Sequence, residues 1–218
     1  MKRRIWVPLV TLALCGCVGT FSYGENVKGS GVKASESRAV GAFTGIDVQG
    51  SADVHVTTGE PRSVTVEADD NLLPIIETEV RGSSLLVRSK KSFSTRIGVK
   101  LHVTTPRLEE VEIAGSGNVV VEKLDAQTFR VSVLGSGDVR ATGTAERVEA
   151  SVKGSGDIDL SGLSARKAEA SVYGSGDIKV RANESVSASI YGSGDVEYWG
   201  EPAEVARSVH GSGEIRAH

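Results

Sequence analysis

The residues best placed to do chemistry recur at one position of a repeat: Asn118, Asp138, Asp157, Asp177, Asp195 and Glu214. Each follows a Gly-Ser-Gly phrase: Gly115-Ser116-Gly117, Gly135-Ser136-Gly137, Gly154-Ser155-Gly156, Gly174-Ser175-Gly176, Gly192-Ser193-Gly194 and Gly211-Ser212-Gly213. Successive copies start 20, 19, 20, 18 and 19 residues apart. If the copies stack, the carboxylates of Asp138, Asp157, Asp177 and Asp195 stand ~5 Å apart and repel by roughly 0.8 kcal/mol per pair in water. Calcium, a hard cation with several oxygen ligands, would relieve that column. So would backbone N–H groups beside each glycine turn, helped by Arg140, Lys179 and Arg216. The calcium-binding glycine-aspartate solenoid repeat has a nine-residue period, which this chain lacks. The structural corner is therefore the expectation, with calcium as the alternative and no other cofactor.

Serines supply two further columns, Ser116, Ser136, Ser155, Ser175, Ser193 and Ser212 within the phrase and Ser132, Ser151, Ser171, Ser189 and Ser208 before it. Small hydroxyls either bind sugar hydroxyls and ordered water or simply fit where coils stack tightly, bonding to one another up the ladder. Between these columns run Ala114, Leu134, Lys153, Tyr173, Tyr191 and His210. Tyr173 and Tyr191 should meet in adjacent coils, with Lys153 and His210 on either side and Tyr198-Trp199 close by. That strip is a candidate platform for a glycan or peptide, although cross-rung aromatic stacking would explain it equally. His55, His102, His210 and His218 are scattered, and no serine is marked as a nucleophile by a neighbouring base. No catalytic residue is assigned, and the chain is read as not an enzyme.

The elements that position these residues follow from alternation. Val131, Val133, Gly135, Gly137, Val139 and Ala141 share one parity, as do Val148 to Leu160, Ala168 to Val180 and Val186 to Tyr198. Each coil reads as a strand, a double-glycine notch pointing inward, and a second strand. A looser corner at Thr142–Arg147, Ser161–Lys167, Ala182–Ser185 and Gly200–Glu204 takes up the length variation. On the outward side, Arg140, Asp159, Lys179, Glu197 and Arg216 alternate in sign at equivalent positions, which parallel stacking would bring together. The expected fold is all-β: a parallel β-solenoid of ~19-residue coils.

Residues 111–218 form its regular half and 57–110 a less regular part. Alternation starts at Ile46 and Val48, and Gly50-Ser51-Ala52-Asp53 is a variant of the phrase. Strands are expected at Ser63–Ala68, Ser84–Val87 and Gly98–Thr104, and a short helix between Asp69 and Glu77, broken at Pro74. The 65 residues from Gly50 to Gly115 would hold about three irregular coils of the same stack.

Ahead of the head domain (43–218), residues 1–16 read as an export signal: Lys2-Arg3-Arg4, then an apolar Ile5–Leu14 too short to span a membrane. Leu14-Cys15-Gly16-Cys17 has the form of a bacterial lipobox. Lipid on Cys17, palmitate included, would anchor the chain without spanning, and Val18 after it suggests the outer membrane by resemblance. Residues 17–42, rich in Gly, Ser, Lys and Glu, read as lipid anchor and flexible tether, with Gly29-Ser30-Gly31 either a degenerate repeat copy or linker. Aromatic residues are 5% of the chain and Gly contributes 26 residues, which favours thin strand-rich structure over a thick core. Without Lys2, Arg3 and Arg4 the chain has 22 basic against 28 acidic residues, which argues against nucleic acid as a partner.

Phe43-Thr44-Gly45-Ile46, Asp70-Asn71-Leu72-Leu73, Leu85-Leu86-Val87 and the Gly-Ser-Gly-Asp ladder together resemble the bacterial family described as "putative auto-transporter adhesin, head GIN domain", over roughly residues 40–216. The resemblance implies an exported β-helical domain, often found on lipoproteins, and carries no catalytic residues. The functional expectation is a lipid-anchored, non-enzymatic envelope protein, facing the periplasm or the outside, that binds a glycan or an envelope protein. A structural periplasmic scaffold and a β-helical polysaccharide-acting enzyme are the alternatives. An enzyme's site would have to lie in 57–110, among Asp69, Asp70, Glu77, Glu79, Arg81 and Arg96. The last coil, with no evident cap, is expected to form a homodimer or to be covered by Tyr198–Glu204.

Overall fold

The computed structural model describes residues 26–218. The signal peptide and the lipobox with Cys17 lie outside them. The strands are β1 (Val27–Lys28), β2 (Lys33–Ser37), β3 (Gly45–Gly50), β4 (Asp53–Thr58), β5 (Ser63–Asp69), β6 (Ile76–Arg81), β7 (Ser84–Ser89), β8 (Phe93–Ser94) and β9 (Lys100–Thr105). They continue with β10 (Glu110–Gly115), β11 (Val119–Gly135), β12 (Val139–Gly154), β13 (Ile158–Gly174), β14 (Ile178–Gly192), β15 (Val196–Trp199), β16 (Glu204–Gly211) and β17 (Ile215–Ala217).

Equivalent residues of successive copies pair in parallel: Gly115 with Gly135, Gly135 with Gly154, Gly154 with Gly174, Gly174 with Gly192, and Gly192 with Gly211. This is the parallel β-solenoid. Alternation puts Ile113, Val133, Val152, Val172 and Ile190 in one buried file and Val119, Val139, Ile158, Ile178 and Val196 in another. Burial contributes ~1.5–3 kcal/mol for each such side chain.

The glycines do not form an inward notch. At Gly135, where φ is +133°, a Cβ would stand 2.3 Å from the Gly115 carbonyl oxygen; at Gly137 it would stand 2.1 Å from that of Gly117. The missing side chains would point along the stack axis, into the corner of the coil before. That close approach lets Gly115 O accept from both Ser136 N–H (2.9 Å) and Gly137 N–H (3.1 Å), and the same fork recurs between Gly135 and Ser155 and Gly156. The looser corner differs as well. It runs inside continuous strands as register shifts between Val121 and Leu124, Arg140 and Thr142, and Leu160 and Ser164. Leu124, Leu163 and Ala182 are buried behind it.

Three expectations for the first half need correction. Gly115 lies directly on Gly50, so the residues between them do not insert coils there. They supply one irregular coil of the same stack beneath it, not three above: β7 pairs in parallel with the far side of β3, and β9 with the far side of β4. Antiparallel β6 and β5 then close the sheet edges, and the expected short helix is one 3-10 turn at Leu73–Ile75. The described part of the expected tether is not free chain either, because β2 pairs antiparallel with β5, and β1 pairs in parallel with β8. Finally, Gly29-Ser30-Gly31 is neither repeat nor linker. Asp69, Asp70 and Asn71 clasp it: Gly31 N–H donates to Asp69 Oδ1 (2.6 Å), Ser30 N–H to Asn71 Oδ1 (2.9 Å), and Asn71 Nδ2 to Lys28 O (2.8 Å).

Candidate functional site

The acidic column is built by hydrogen bonds between coils. Asp157 N–H donates to Asp138 Oδ1 (2.9 Å), Asp177 N–H to Asp157 Oδ1 (2.8 Å), Asp195 N–H to Asp177 Oδ1 (2.8 Å), and Glu214 N–H to Asp195 Oδ1 (2.8 Å). Asn118 Oδ1 takes the same role for Asp138 N–H at 3.2 Å, so an uncharged acceptor makes the same bond there. A shallow groove of about 370 Å³ runs along the column, with Arg140 and Lys179 on its other side. Among the described residues no group of three or more His, Cys, Asp or Glu side chains is placed to hold a metal ion.

The alternating charges fall into register: Arg140 beside Asp159, Asp159 beside Lys179, Lys179 beside Glu197, and Glu197 beside Arg216. Arg140 bonds Asp159 at 3.0 Å and Lys179 reaches Glu197 at 4.0 Å, while Arg216 turns to Asp195 (3.0 Å) and Glu214 (2.8 Å). Burial pushes the Asp159 carboxyl up, but the Ser161 hydroxyl and N–H together with Arg140 outweigh it and hold the group below the usual carboxylate range. These solvent-exposed pairs are weak and serve chiefly to fix register.

The sheet face formed by β10 and the second halves of β11 to β14 carries the aromatic strip. Tyr173 and Tyr191 stack at 5.2 Å with planes 2° apart, and His210 stacks on Tyr191 at 4.9 Å and 16°. Both tyrosines are 46% exposed. Their faces are turned toward one another along the axis, so the strip is a wall of ring edges and hydroxyls and not an open platform. Beside it Ser151, Ser171 and Ser189 form a half-buried floor, with Ser171 and Ser189 hydroxyls 2.9 Å apart. On the other side of the serines stand Glu149 and Glu169, held by Arg147, and then the small Ser187 and Ala206 opposite Tyr191 and His210. The result is a shallow trough floored by hydroxyls, walled along one side by the aromatic strip and on the other only over β12 and β13. Glu112 lies in line with the serine floor, beside Asp47. Burial pushes its carboxyl up, and Asp47 and Glu110 push it further.

The remaining histidines have structural partners: His55 stacks on His102 at 5.6 Å, and His218 stacks on Trp199 and meets Glu197 at 3.0 Å. Sequence reasoning missed two features. One is the Asp69–Asn71 clasp, whose partners are some 40 residues away. The other is Arg207, which stands in the inward file after Ala188. Its guanidinium lies 5.2 Å from the centre of the Tyr198 ring and bonds the Tyr198 hydroxyl, covering part of the last coil. No described helix is long and apolar enough to cross a membrane.

A family model described as "Putative auto-transporter adhesin, head GIN domain" matches residues 42–202. No curated protein matches the chain. Among solved structures, a "putative adhesin" from Bacteroides fragilis is similar with a TM-score of 0.72 and 26% identity, covering 88% of this chain and 100% of that one. A "putative lipid binding protein" from Parabacteroides distasonis gives 0.59 and 26%, covering 89% and 100%. A "putative adhesin" from Parabacteroides merdae gives 0.59 and 18%, again covering 89% and 100%, and so shares the fold.

Proposed function

The chain belongs to the family described as "putative auto-transporter adhesin, head GIN domain", and on that premise we propose that it is a non-enzymatic binding module of the bacterial envelope, held to the outer membrane by lipid on Cys17. The observation that carries this reading is the trough walled by Tyr173, Tyr191 and His210 and floored by Ser151, Ser171 and Ser189. Hydroxyls repeating once per coil, ~4.8 Å apart, match an extended polymer lying along the axis. A neutral glycan chain would exchange hydrogen bonds with the serines while its apolar edges rest on the ring edges. The whole chain carrying Tyr173→Ser and Tyr191→Ser should lose at least tenfold in affinity on a glycan array and still melt within a few degrees of the parent. Unchanged glycan binding would refute the trough; a collapsed melting transition would make the stack structural.

The anchor has its own test. Cys17→Ala should abolish incorporation of labelled palmitate and release the protein from the membrane fraction, and persistence of either signal refutes it. Protease added to intact cells should cleave the head if it serves adhesion; full protection would assign it to the periplasm. A second copy is the proposed partner at the last coil, where Val205 and Val209 are 40% and 42% exposed. Light scattering should then give a dimer that Val209→Lys dissociates; a monomer at all concentrations excludes it.

A further inference from the structure

Every later corner sits on the corner before it, but the Gly50 corner does not. A Cβ added at Gly115, Gly135, Gly154, Gly174, Gly192 or Gly211 would strike the carbonyl of the preceding glycine, whereas one added at Gly50 would meet nothing within 4 Å. The coil beneath leaves the stack at this point: pairing of β3 with β7 ends at Gln49 and Arg88, and residues 90–99 swing outward before β9 begins. The gap where a corner would be is a pocket of about 520 Å³, within the ~300–1,000 Å³ of small-molecule sites.

The walls of that pocket are specific. In the later corners the serine N–H, and in most the following glycine N–H as well, donate to the glycine carbonyl below, as Ser116 and Gly117 do to Gly50 O at 2.9 and 3.1 Å. The equivalent donors here are Ser51 N–H and Ala52 N–H. They line the pocket, have no such carbonyl beneath them, and make no backbone hydrogen bond among the described residues. Arg88, Lys90 and Lys91 stand at the rim. Glu77 meets Arg88 (2.7 Å) and Lys90 (3.4 Å), and Arg88 first and Lys90 after it hold its carboxyl below the usual range. The floor is apolar: Ile76, Val87 and Val99 are buried, and Phe93 packs against the core. The outward loop is also fixed in place, since Lys90 N–H donates to Ile75 O (2.9 Å), β8 pairs with β1, and Thr95 Oγ1 accepts from Ile97 N–H (3.0 Å). The pocket is formed before any ligand arrives.

We infer that this missing corner is a binding site for a small amphiphilic anion, whose carboxylate or phosphate oxygen takes the place of the absent glycine carbonyl at Ser51 N–H and Ala52 N–H while its apolar body covers Ile76, Val87, Phe93 and Val99. Adjacent backbone N–H groups in a turn are an established anion-binding arrangement, and Lys90 and Arg88 add charge on the same side. The site lies at the Gly50 end of the stack, away from Tyr173 and Tyr191, and does not depend on the trough. The test uses the full chain carrying Cys17→Ser, which avoids detergent, titrated with decanoate, decyl phosphate, inorganic phosphate and decyl maltoside. Decanoate or decyl phosphate should shift the Ser51 and Ala52 amide resonances, and whichever head group binds more tightly distinguishes carboxylate from phosphate ligands. Inorganic phosphate should bind at least tenfold more weakly for want of an apolar body. Lys90→Glu and, separately, Phe93→Ser should each weaken binding about tenfold, with Lys153→Glu unchanged. Decyl maltoside binding as tightly as the anions, or no shift at Ser51 and Ala52 at millimolar anion, overturns the inference.

Discussion

Gly156→Ala tests the reason for the repeat phrase most directly. The added Cβ would stand 2.0 Å from Gly137 O and 3.0 Å from Gly137 C and N, all backbone atoms that no side-chain rotation can move. Relief requires the corner between β11 and β12 and the corner between β12 and β13 to separate by roughly 1 Å, since ordinary carbon–oxygen contacts lie near ~3.3 Å. Three hydrogen bonds cross that gap: Ser155 N–H (2.8 Å) and Gly156 N–H (3.1 Å) to Gly135 O, and Asp157 N–H to Asp138 Oδ1 (2.9 Å). At ~1 kcal/mol each, with residual strain, the loss is about 3–5 kcal/mol. For a chain of this length that lowers the melting temperature by about 6–20 °C. Gly41→Ala is the internal control, because nothing lies within 4 Å of its added Cβ and its φ is not in the left-handed region. There the smaller entropy of the unfolded chain should raise stability by ~0.4–1 kcal/mol. Melting followed by circular dichroism compares the two. If Gly156→Ala melts within 2 °C of the parent, or Gly41→Ala falls as far, the axial contact is not why glycine stands in the corner.

Three further outcomes follow from the site geometry. Asp157→Asn keeps the acceptor for Asp177 N–H and should be neutral or slightly stabilising, while Asp157→Ala should cost ~1–2 kcal/mol in urea unfolding; equal effects would show that charge, and not hydrogen bonding, governs the column. Melting should be unchanged by EDTA or by millimolar calcium, and a calcium-dependent rise of several degrees would restore the metal reading. Thr95 Oγ1–H, opposed by burial and helped by Gly31 N–H, holds Asp69 below the usual carboxylate range. Its stabilisation is therefore complete above the unfolded carboxylate's pKa and lost as pH falls through the lower folded value, so Asp69→Ala should destabilise at pH 7 and converge on the parent in strong acid. Glu112 has the opposite sign: its raised folded pKa costs stability at neutral pH, so Glu112→Gln should raise the melting temperature at pH 7 and lose that advantage as pH drops through the carboxylate range.

The regular half was legible because each of its constraints is local and repeated. Alternating Val and Ile at fixed parity define an inward face, and equivalent residues of adjacent copies can meet only if the coils run parallel. That logic correctly placed the Arg140–Asp159–Lys179–Glu197–Arg216 file and the Tyr173–Tyr191 stack. It failed on glycine direction, because parity says which side a residue faces but not that a corner turns its Cα–Hα bond along the axis. In the first half it found the strands that became β5, β7 and β9 but not their partners, because contacts there are between dissimilar segments and no period marks them. Nothing near Gly29 or Asp69 in sequence announces that they meet, and the pocket under Gly50 is defined by the place of a corner that is not there.

The solenoid, its period, its register and the composition of its outer files follow from the repeat alone, because a repeat carries its own alignment and each coil needs only its neighbours. The tertiary structure alone decided the order of the first coils. It placed β7 and β9 beneath β3 and β4 and used β5 and β6 as an antiparallel closure. It decided, too, that the aspartates point their acceptors at the next coil's N–H groups. Those outcomes depend on which backbone donors and acceptors are left unsatisfied once the stack has formed, and that is a property of the assembled sheet and not of any stretch of chain.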